Sequence, residues 1–453
     1  MIMGPHQRIN ELVEAHRDLI INLSRQIWEF AELRFEEHQS CALLEAALEK
    51  HGFAVTRQAG GIETAFVAEY GSGGPVIGFL GEYDALPSLS QKADTARQEA
   101  LQQGAPGHGC GHNLLGTGAL VAALALRYYL AENNLGGTVR YYGCPAEEGG
   151  GGKVLMVAAG LFADIDAAIT WHPSNAHYVQ SSPTLATRTT SFHFKGKSAH
   201  AAANPQDGRS ALDAVELMNV GVNYLREHVP ADSRIHYAIT NSGGSAPNVV
   251  QAEATVRYQM RAPLMSQVEE VYARVCDVAR GAALMTGTSV ETKEESRYLN
   301  VIPNTTLEAC AHRQMQKIGL PEYDENDYVF AREIRATLSE GEKNNHIIPE
   351  TRGLDLATKM PPFRPHNGLH RASTDVGDVS WVVPTVQYRS AVLAVGTKAH
   401  SWQAVAQGLC SYANKGTLNA GKIMAMTGLE LLQHPQIIEE AKAELQEALK
   451  AGS

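Results

Sequence analysis

Residues 116–148 read GTGALVAALALRYYLAENNLGGTVRYYGCPAEE. Up to Asn134 the stretch reads as a helix, and GTVRYYGCP (137–145) reads as a short apolar strand of the buried kind. Two similar runs flank it, PVIGFLGEYDALP (75–87) and DAAITWHP (166–173). Strands that alternate with helices predict an α/β fold, a mostly parallel sheet covered by helices. In such sheets functional groups collect just beyond the carboxyl ends of the strands. Asp84, Glu147, Glu148 and His172 all follow these apolar runs, so the pattern predicts that they converge.

At 453 residues the chain is too long for one simple core and predicts two to three domains. Its 44% hydrophobic and 19% charged residues are those of a globular protein. A net charge of −11 argues against a nucleic-acid partner, though it leaves room for a local basic pocket. The start, MIMGPHQRIN, has no basic segment followed by an apolar stretch, so no secretory signal is expected. No apolar run is expected to span a membrane, since even TGALVAALALRYYL breaks at Arg127. The six cysteines (41, 110, 144, 276, 310 and 410) lack a framework spacing, which predicts reduced thiols and leaves Cys110 free to ligate. A cytoplasmic enzyme is the expectation.

Outward from the opening stretch, Ile9, Leu12, Val13, Leu19, Ile20, Leu23 and Ile27 recur at helical spacing from about Gln7 to Leu33. Near Leu185 the pattern changes. TRTTSFHF reads as a strand, 209–228 as a helix, and RIHYAIT and NVVQAEATVRYQMRA as strands. A helix over 266–284 and a strand near TSVETKEE follow. The order β-α-β-β-α-β predicts an inserted α+β ferredoxin-like module. The expected division is a catalytic domain in two parts, 1–184 and 301–453, with the inserted lid and dimerisation domain at 185–300. The stretch from Asn344 to Arg371 reads as a long loop near the site, followed by the apolar run SAVLAVGTKAH and a helix through LNAGKIMAMTGLELL.

The glutamate pair can divide labour, one carboxylate holding a divalent metal while its neighbour moves a proton. An isolated pair would read as an acidic turn. Here HGCGH (108–112) precedes it and TWHP (170–173) follows, adding thiolate and imidazole donors. Cys110 and His112 are two apart, so in an extended segment they would project to one side. The rival readings are a glycine-rich turn opening the helix at Leu114, and a Cys110 nucleophile with His112 as its base. The nucleophile leaves the glutamate pair and His172 unexplained. A thiolate and imidazole set suits zinc, and added carboxylates admit manganese. His172 reads as following a strand that Pro173 ends, and His400 in GTKAHSW stands in a similar position. Asp84 is either a ligand or the partner that fixes a histidine tautomer, the second being favoured.

Together these segments resemble the aminoacylase and carboxypeptidase clan of dinuclear metallohydrolases, in particular the amidohydrolase branch that cleaves N-acyl amino acids. LGEYDALP, GHGCGHNLLGTGAL, GCPAEEGGGGK, TWHP, GRSALDAV, HYAITNSGG, APNVVQAEATVRYQMRAP, STDVGDVSWVVP and AVGTKAHSWQ carry the likeness, across roughly 27–431. The resemblance implies two divalent metal ions, zinc or manganese, on Cys110, His112, Glu148, His172 and His400, with Glu147 as general base and then acid. It implies a homodimer through the lid, in which His200 of GKSAHAA reaches the partner's site and stabilises the oxyanion. It further implies that Asn248 and Arg261 grip the substrate, the latter through its carboxylate-matching fork. The branch usually has aspartate where this chain has Asn113; the p-aminobenzoyl-glutamate hydrolases share the asparagine, which favours that subgroup.

The expected function is metal-dependent hydrolysis of an N-acyl amino acid, with an aromatic acyl group on an acidic residue as in p-aminobenzoyl-glutamate. A dipeptide or an indole-acetyl amino acid is the alternative substrate. A non-catalytic metal-binding subunit that serves a paired homologous subunit is the alternative of a different class.

Overall fold

A computed structural model describes residues 4–344, 348–366 and 368–452. The chain divides into two compact units. One comprises Met1–Ser182, Ile302–Asn367 and Val379–Ser453, the other Pro183–Val301 and Gly368–Asp378. The short return segment groups with the second unit because His370 bridges Thr184, Leu185 N–H donates to Ala372 O, and Leu299 N–H donates to the Asp378 carboxylate.

The first unit is built on seven strands: β1 (Ala54–Arg57), β2 (Phe66–Ser72), β3 (Val76–Glu82), β4 (Gly137–Cys144), β5 (Ala167–Ser174), β6 (Tyr178–Val179) and, after the second unit, the strand Thr385–Ala391. The second unit holds β7 (Ala186–Lys195), β8 (Arg234–Asn241), β9 (Glu253–Ala262) and β10 (Ser289–Tyr298), so Thr385–Ala391 is β11. The large sheet runs β1-β2-β4-β3-β5-β11-β6. Its central neighbours β4, β3, β5 and β11 pair in parallel, and the outer pairings are antiparallel. The expected α/β fold, a mostly parallel sheet under helices, is therefore present.

The helix His112–Asn133 lies at the centre of the first unit's core, packed with Ser411–Gln433. By length and composition it could cross a membrane, yet most of it is buried inside the protein, as a core helix is. Arg127 breaks the apolar run but not the helix, which continues to Asn133 as the sequence pattern expects. The guanidinium lies over the rings of Tyr70 and Tyr128, 4.6 and 4.3 Å from their centroids, so the charge stays at the helix margin. The N-terminal periodicity covers two helices, Pro5–Ala15 and Arg17–Phe30, because His16 leaves the helical region (φ −102, ψ 6) and its Nδ1 bonds Leu12 O.

The second unit's antiparallel sheet has the order β10-β7-β9-β8 and packs with the helices Ala211–Leu225 and Met265–Thr286, the arrangement of a ferredoxin-like module. The alternation that the sequence shows through Ala252, Ala254, Val256, Tyr258 and Met260 holds on β9 from Ala254 onward, with Ala262 also buried, whereas Ala252 precedes the strand. The stretch Asn344–Arg371 contains a short turn at Pro349–Thr351 and otherwise irregular backbone, while 345–347 and 367 lie outside the described residues.

One buried acid in the first unit makes stability depend on pH. Glu308, in the first turn of Thr305–Ile318, accepts a hydrogen bond from Ser181 Oγ, and burial pushes its carboxyl up to about 7. Its folded value lies above the unfolded one, so the native state favours the protonated form. The stability this confers is complete at low pH and falls as pH rises from the ordinary carboxylate range to about 7. Glu308→Gln should flatten that decline and stabilise the protein at pH 8 relative to wild type, as read from urea midpoints at pH 5 and pH 8.

Candidate metal centre and catalytic carboxylate

The sheet ends explain why the site forms where it does. β3 stops at Glu82 and β4 at Cys144, neighbours in parallel register, so the chains leaving them deliver Asp84 and the Glu147–Glu148 pair to one edge. β5 does not stop at Pro173 as expected but continues to Ser174. Proline is tolerated because β3 pairs with β5 only as far as Ile169, leaving β11 as the neighbour at that end. His172 is thus held within a strand. HGCGH is likewise not extended: Gly111 adopts φ 79 and caps the helix that His112 opens, which is how Cys110 and His112 come together. The turn reading of this segment holds, with the helix opening at His112 rather than at Leu114.

Around that edge the donors converge. The ligand atoms of Cys110, His112 and His172 lie within 4.8 Å of one another, and so do those of Cys110, Glu148 and His400. Cys110 belongs to both groups. Its Sγ is 3.4 Å from His172 Nε2, and His400 Nε2 is 3.1 Å from Glu148 Oε1. A third group joins Glu82, His112 and Glu147, which places the carboxylate expected to move protons beside the donors. Glu147 is 9% exposed and so largely shielded from bulk water. His400 is delivered by a loop rather than directly by a strand, and its backbone N–H donates to Gly109 O at 2.8 Å.

Asp84 takes the orienting role. Its Oδ1 is 2.8 Å from His112 Nδ1 and its Oδ2 accepts the Glu148 N–H at 2.8 Å, so one carboxylate fixes both a ring and the glutamate turn. His112 Nε2 is buried and makes no hydrogen bond, with Glu82 Oε2 facing it at 3.2 Å. An imidazole nitrogen pinned from behind and unsatisfied in front fits a metal ligand. His172 is arranged similarly, its Nδ1 bonded to Pro173 O and its Nε2 turned to Cys110. Two non-glycine residues here, Ala146 (φ 57) and His400 (φ 61), occupy the left-handed region, a strain that collects at functional sites.

The electrostatics call for positive charge. Burial alone would lower the His112 pKa, yet Cys110 and Asp84 raise it well above its ordinary value. His400 is pushed up to about 10 by its hydrogen bonds with Cys110 and Glu148. Divalent ions would supply the charge that protons otherwise provide, so the donor set fits two such ions.

Several residues here are not legible in the sequence. Glu82 is buried, its Oε2 is 3.2 Å from His112 Nε2, and its Oε1 is 2.6 Å from the buried Lys153 Nζ. Lys153 arrives from the glycine tract because the chain passes very close to Pro145: a Cβ at Gly152 would sit 1.9 Å from Pro145 O. Glu37, fully buried, accepts the Ala146 N–H at 2.8 Å and so anchors the turn before Glu147. Burial and the nearby Asp84 push its carboxyl up to about 7. Lys153→Met should strand the Glu82 charge and cost about 3–5 kcal/mol in denaturant unfolding. Adding Glu82→Gln should recover a large part of that loss.

Asn113 has a local explanation. Its Nδ2 donates to Ser24 Oγ (2.9 Å) and Gly408 O (3.1 Å), bonds that an aspartate could not donate. The expected lid residues fall in the second unit. The exposed His200 accepts the Ala202 and Ala203 N–H groups at Nδ1, and Asn248 O accepts the Ala201 N–H. Arg261 reaches Gln259 Oε1 and Ser373 Oγ, and no carboxylate pairs with it among the described residues.

The chain matches the description Peptidase family M20/M25/M40 over residues 78–339. It is 46% identical to one of the p-aminobenzoyl-glutamate hydrolase subunits of Escherichia coli (strain K12), covering 97% of this chain and 94% of that one. It is 32% identical to the Xaa-Arg dipeptidase of Mus musculus, covering 97% and 93%. Its fold is similar to the crystal structure of the Bacillus subtilis YxeP protein, a dinuclear metal binding peptidase from the M20 family. The TM-score is 0.60 at 19% identity, covering 93% of this chain and 99% of that one.

Proposed function

We propose, from the premise that this chain belongs to peptidase family M20/M25/M40, that it hydrolyses the amide of an N-acyl amino acid such as p-aminobenzoyl-glutamate. It is a hydrolase of amide bonds. The observation that carries the reading is the two donor groups sharing Cys110, with Glu147 beside them. The substrate class rests on the 46% identity to the p-aminobenzoyl-glutamate hydrolase relative.

In this reading Cys110, His112 and His172 would hold one divalent ion, and Cys110, Glu148 and His400 would hold a second. Zinc suits the thiolate and imidazoles, manganese the carboxylate. When bound, such ions polarise a carbonyl and make water acidic. Glu147 takes the proton of the attacking water and returns it to the leaving nitrogen. Asp84 and Glu37 hold the geometry through His112, Glu148 and Ala146. On the family resemblance, His200 would stabilise the oxyanion at a partner copy's site, and Asn248 and Arg261 would grip the substrate. Self-association through that unit is supported by the edge strand β8, on which Tyr237 and Ile239 are exposed, and by the exposed Val220 and Tyr224. A paired homologous subunit is the alternative partner, on the strength of the relative's name as one subunit of a hydrolase.

The 32% identity to an Xaa-Arg dipeptidase supports dipeptides as a second reading. The deciding experiment offers the purified chain p-aminobenzoyl-glutamate, Xaa-Arg dipeptides and indole-acetyl-aspartate. The chain is metal-stripped, then reloaded with zinc or manganese. Metal-restored turnover of p-aminobenzoyl-glutamate above the others upholds the proposal. Turnover of dipeptides alone replaces it with the second reading. No turnover with metal bound shifts the assignment to a chain that needs a paired partner.

A further inference from the structure

We infer that Arg389, at the edge of the metal centre, receives a carboxylate of the substrate's amino-acid half. This rests on the proposed N-acyl amino acid substrate. β11 pairs with β5 in parallel, and Arg389 is the register partner of His172. Side chains in register on neighbouring strands share a sheet face. On the opposite face, Trp171 donates its indole N–H to Leu115 O and Tyr388 donates its hydroxyl to Ala420 O, both against core helices. The alternation therefore sends His172 and Arg389 together toward the centre.

Arg389 is partly buried, and its Nε donates to Gln180 Oε1 at 2.8 Å, which orients the guanidinium. No carboxylate forms an ion pair with it among the described residues. A fixed cation beside donors suited to divalent cations is unfavourable unless an anion sits against it. A substrate carboxylate supplies that anion, and the planar fork suits it. An acidic amino acid carries two carboxylates. Arg389 offers its guanidinium to one of them.

The test is a cycle between enzyme and substrate. Metal-loaded wild type, Arg389→Met and Arg389→Lys are assayed on p-aminobenzoyl-glutamate, p-aminobenzoyl-glutamine and the α-amide of p-aminobenzoyl-glutamate. Metal content is measured in parallel and should not change. Arg389→Met should lower kcat/KM for p-aminobenzoyl-glutamate about tenfold to a hundredfold, as expected for a lost charge-assisted bond. Arg389→Lys, which keeps the charge without the fork, should lose less. The effect of Arg389→Met should vanish for the analogue that lacks the carboxylate Arg389 holds. Silence with the glutamine analogue identifies the side-chain carboxylate; silence with the α-amide identifies the α-carboxylate. Equal losses on all three substrates, or no loss on any, would overturn the inference while leaving the hydrolase reading intact. If wild type cleaves none of them, the functional reading fails separately. Calorimetry with glutamate, glutamine and isoglutamine then judges Arg389: unchanged affinities in Arg389→Met overturn the assignment, and selective loss for the ligand bearing the matching carboxylate upholds it.

Discussion

Glu147→Gln is expected to lower turnover by about 10²–10⁴-fold while metal content and unfolding midpoint stay near wild type. The side chains are nearly isosteric, so the amide preserves packing at a position that is 9% exposed. It cannot accept and return a proton. The carboxylate groups with Glu82 and His112 and lies outside the two Cys110-centred groups that the proposal assigns to the ions. Measuring kcat beside metal content by atomic spectroscopy checks this. A variant that retains wild-type turnover would remove Glu147 from the mechanism. A variant that loses metal would make it a ligand.

Cys110→Ala is expected to lose both ions and all measurable turnover. The reason is the sharing already described: Sγ belongs to the group with His112 and His172 and to the group with Glu148 and His400. His400→Ala removes a donor from one group only and should retain more metal than Cys110→Ala. The readout is metal per chain after dialysis against a weak chelator. Equal stoichiometry in the two variants would argue against the shared thiolate.

The contrast between these residues and Glu82 shows what the sequence can carry. Strand ends are legible because apolar runs are local. Asp84, Glu147 and Glu148 therefore announce their meeting place through the carboxyl-end rule. The Glu82–Lys153 pair is not legible. Neither residue has a spacing that implies the other, and Lys153 ends a glycine tract that reads as a turn. Two expectations fail for one cause. The pattern puts His112 in an extended segment and His172 beyond a strand, since glycine and proline signals are local and carry nothing about neighbours. Gly111 instead supplies a left-handed cap, and β5 has no β3 partner at Pro173. The helices Thr305–Ile318 and Glu325–Ala336 do not stand out in the sequence pattern, whereas the β-α-β-β-α-β order of the second unit does, because its alternation on β9 is regular.

The shared thiol has a consequence for oxidation. Cys41, Cys144, Cys310 and Cys410 are buried, while Cys110 and Cys276 are partly accessible. Peroxide would convert an accessible thiol to a sulfenic acid and then to irreversible acids. At Cys276, on a helix of the second unit, that lesion would spare the donors. At Cys110 it would abolish two coordination spheres with one atom. On the proposed ligand set, ions held on the sulfur would shield it, so the protein would be most vulnerable to oxidative inactivation during metal starvation, and the alkylation rate of this thiol would become a direct gauge of how fully the centre is loaded.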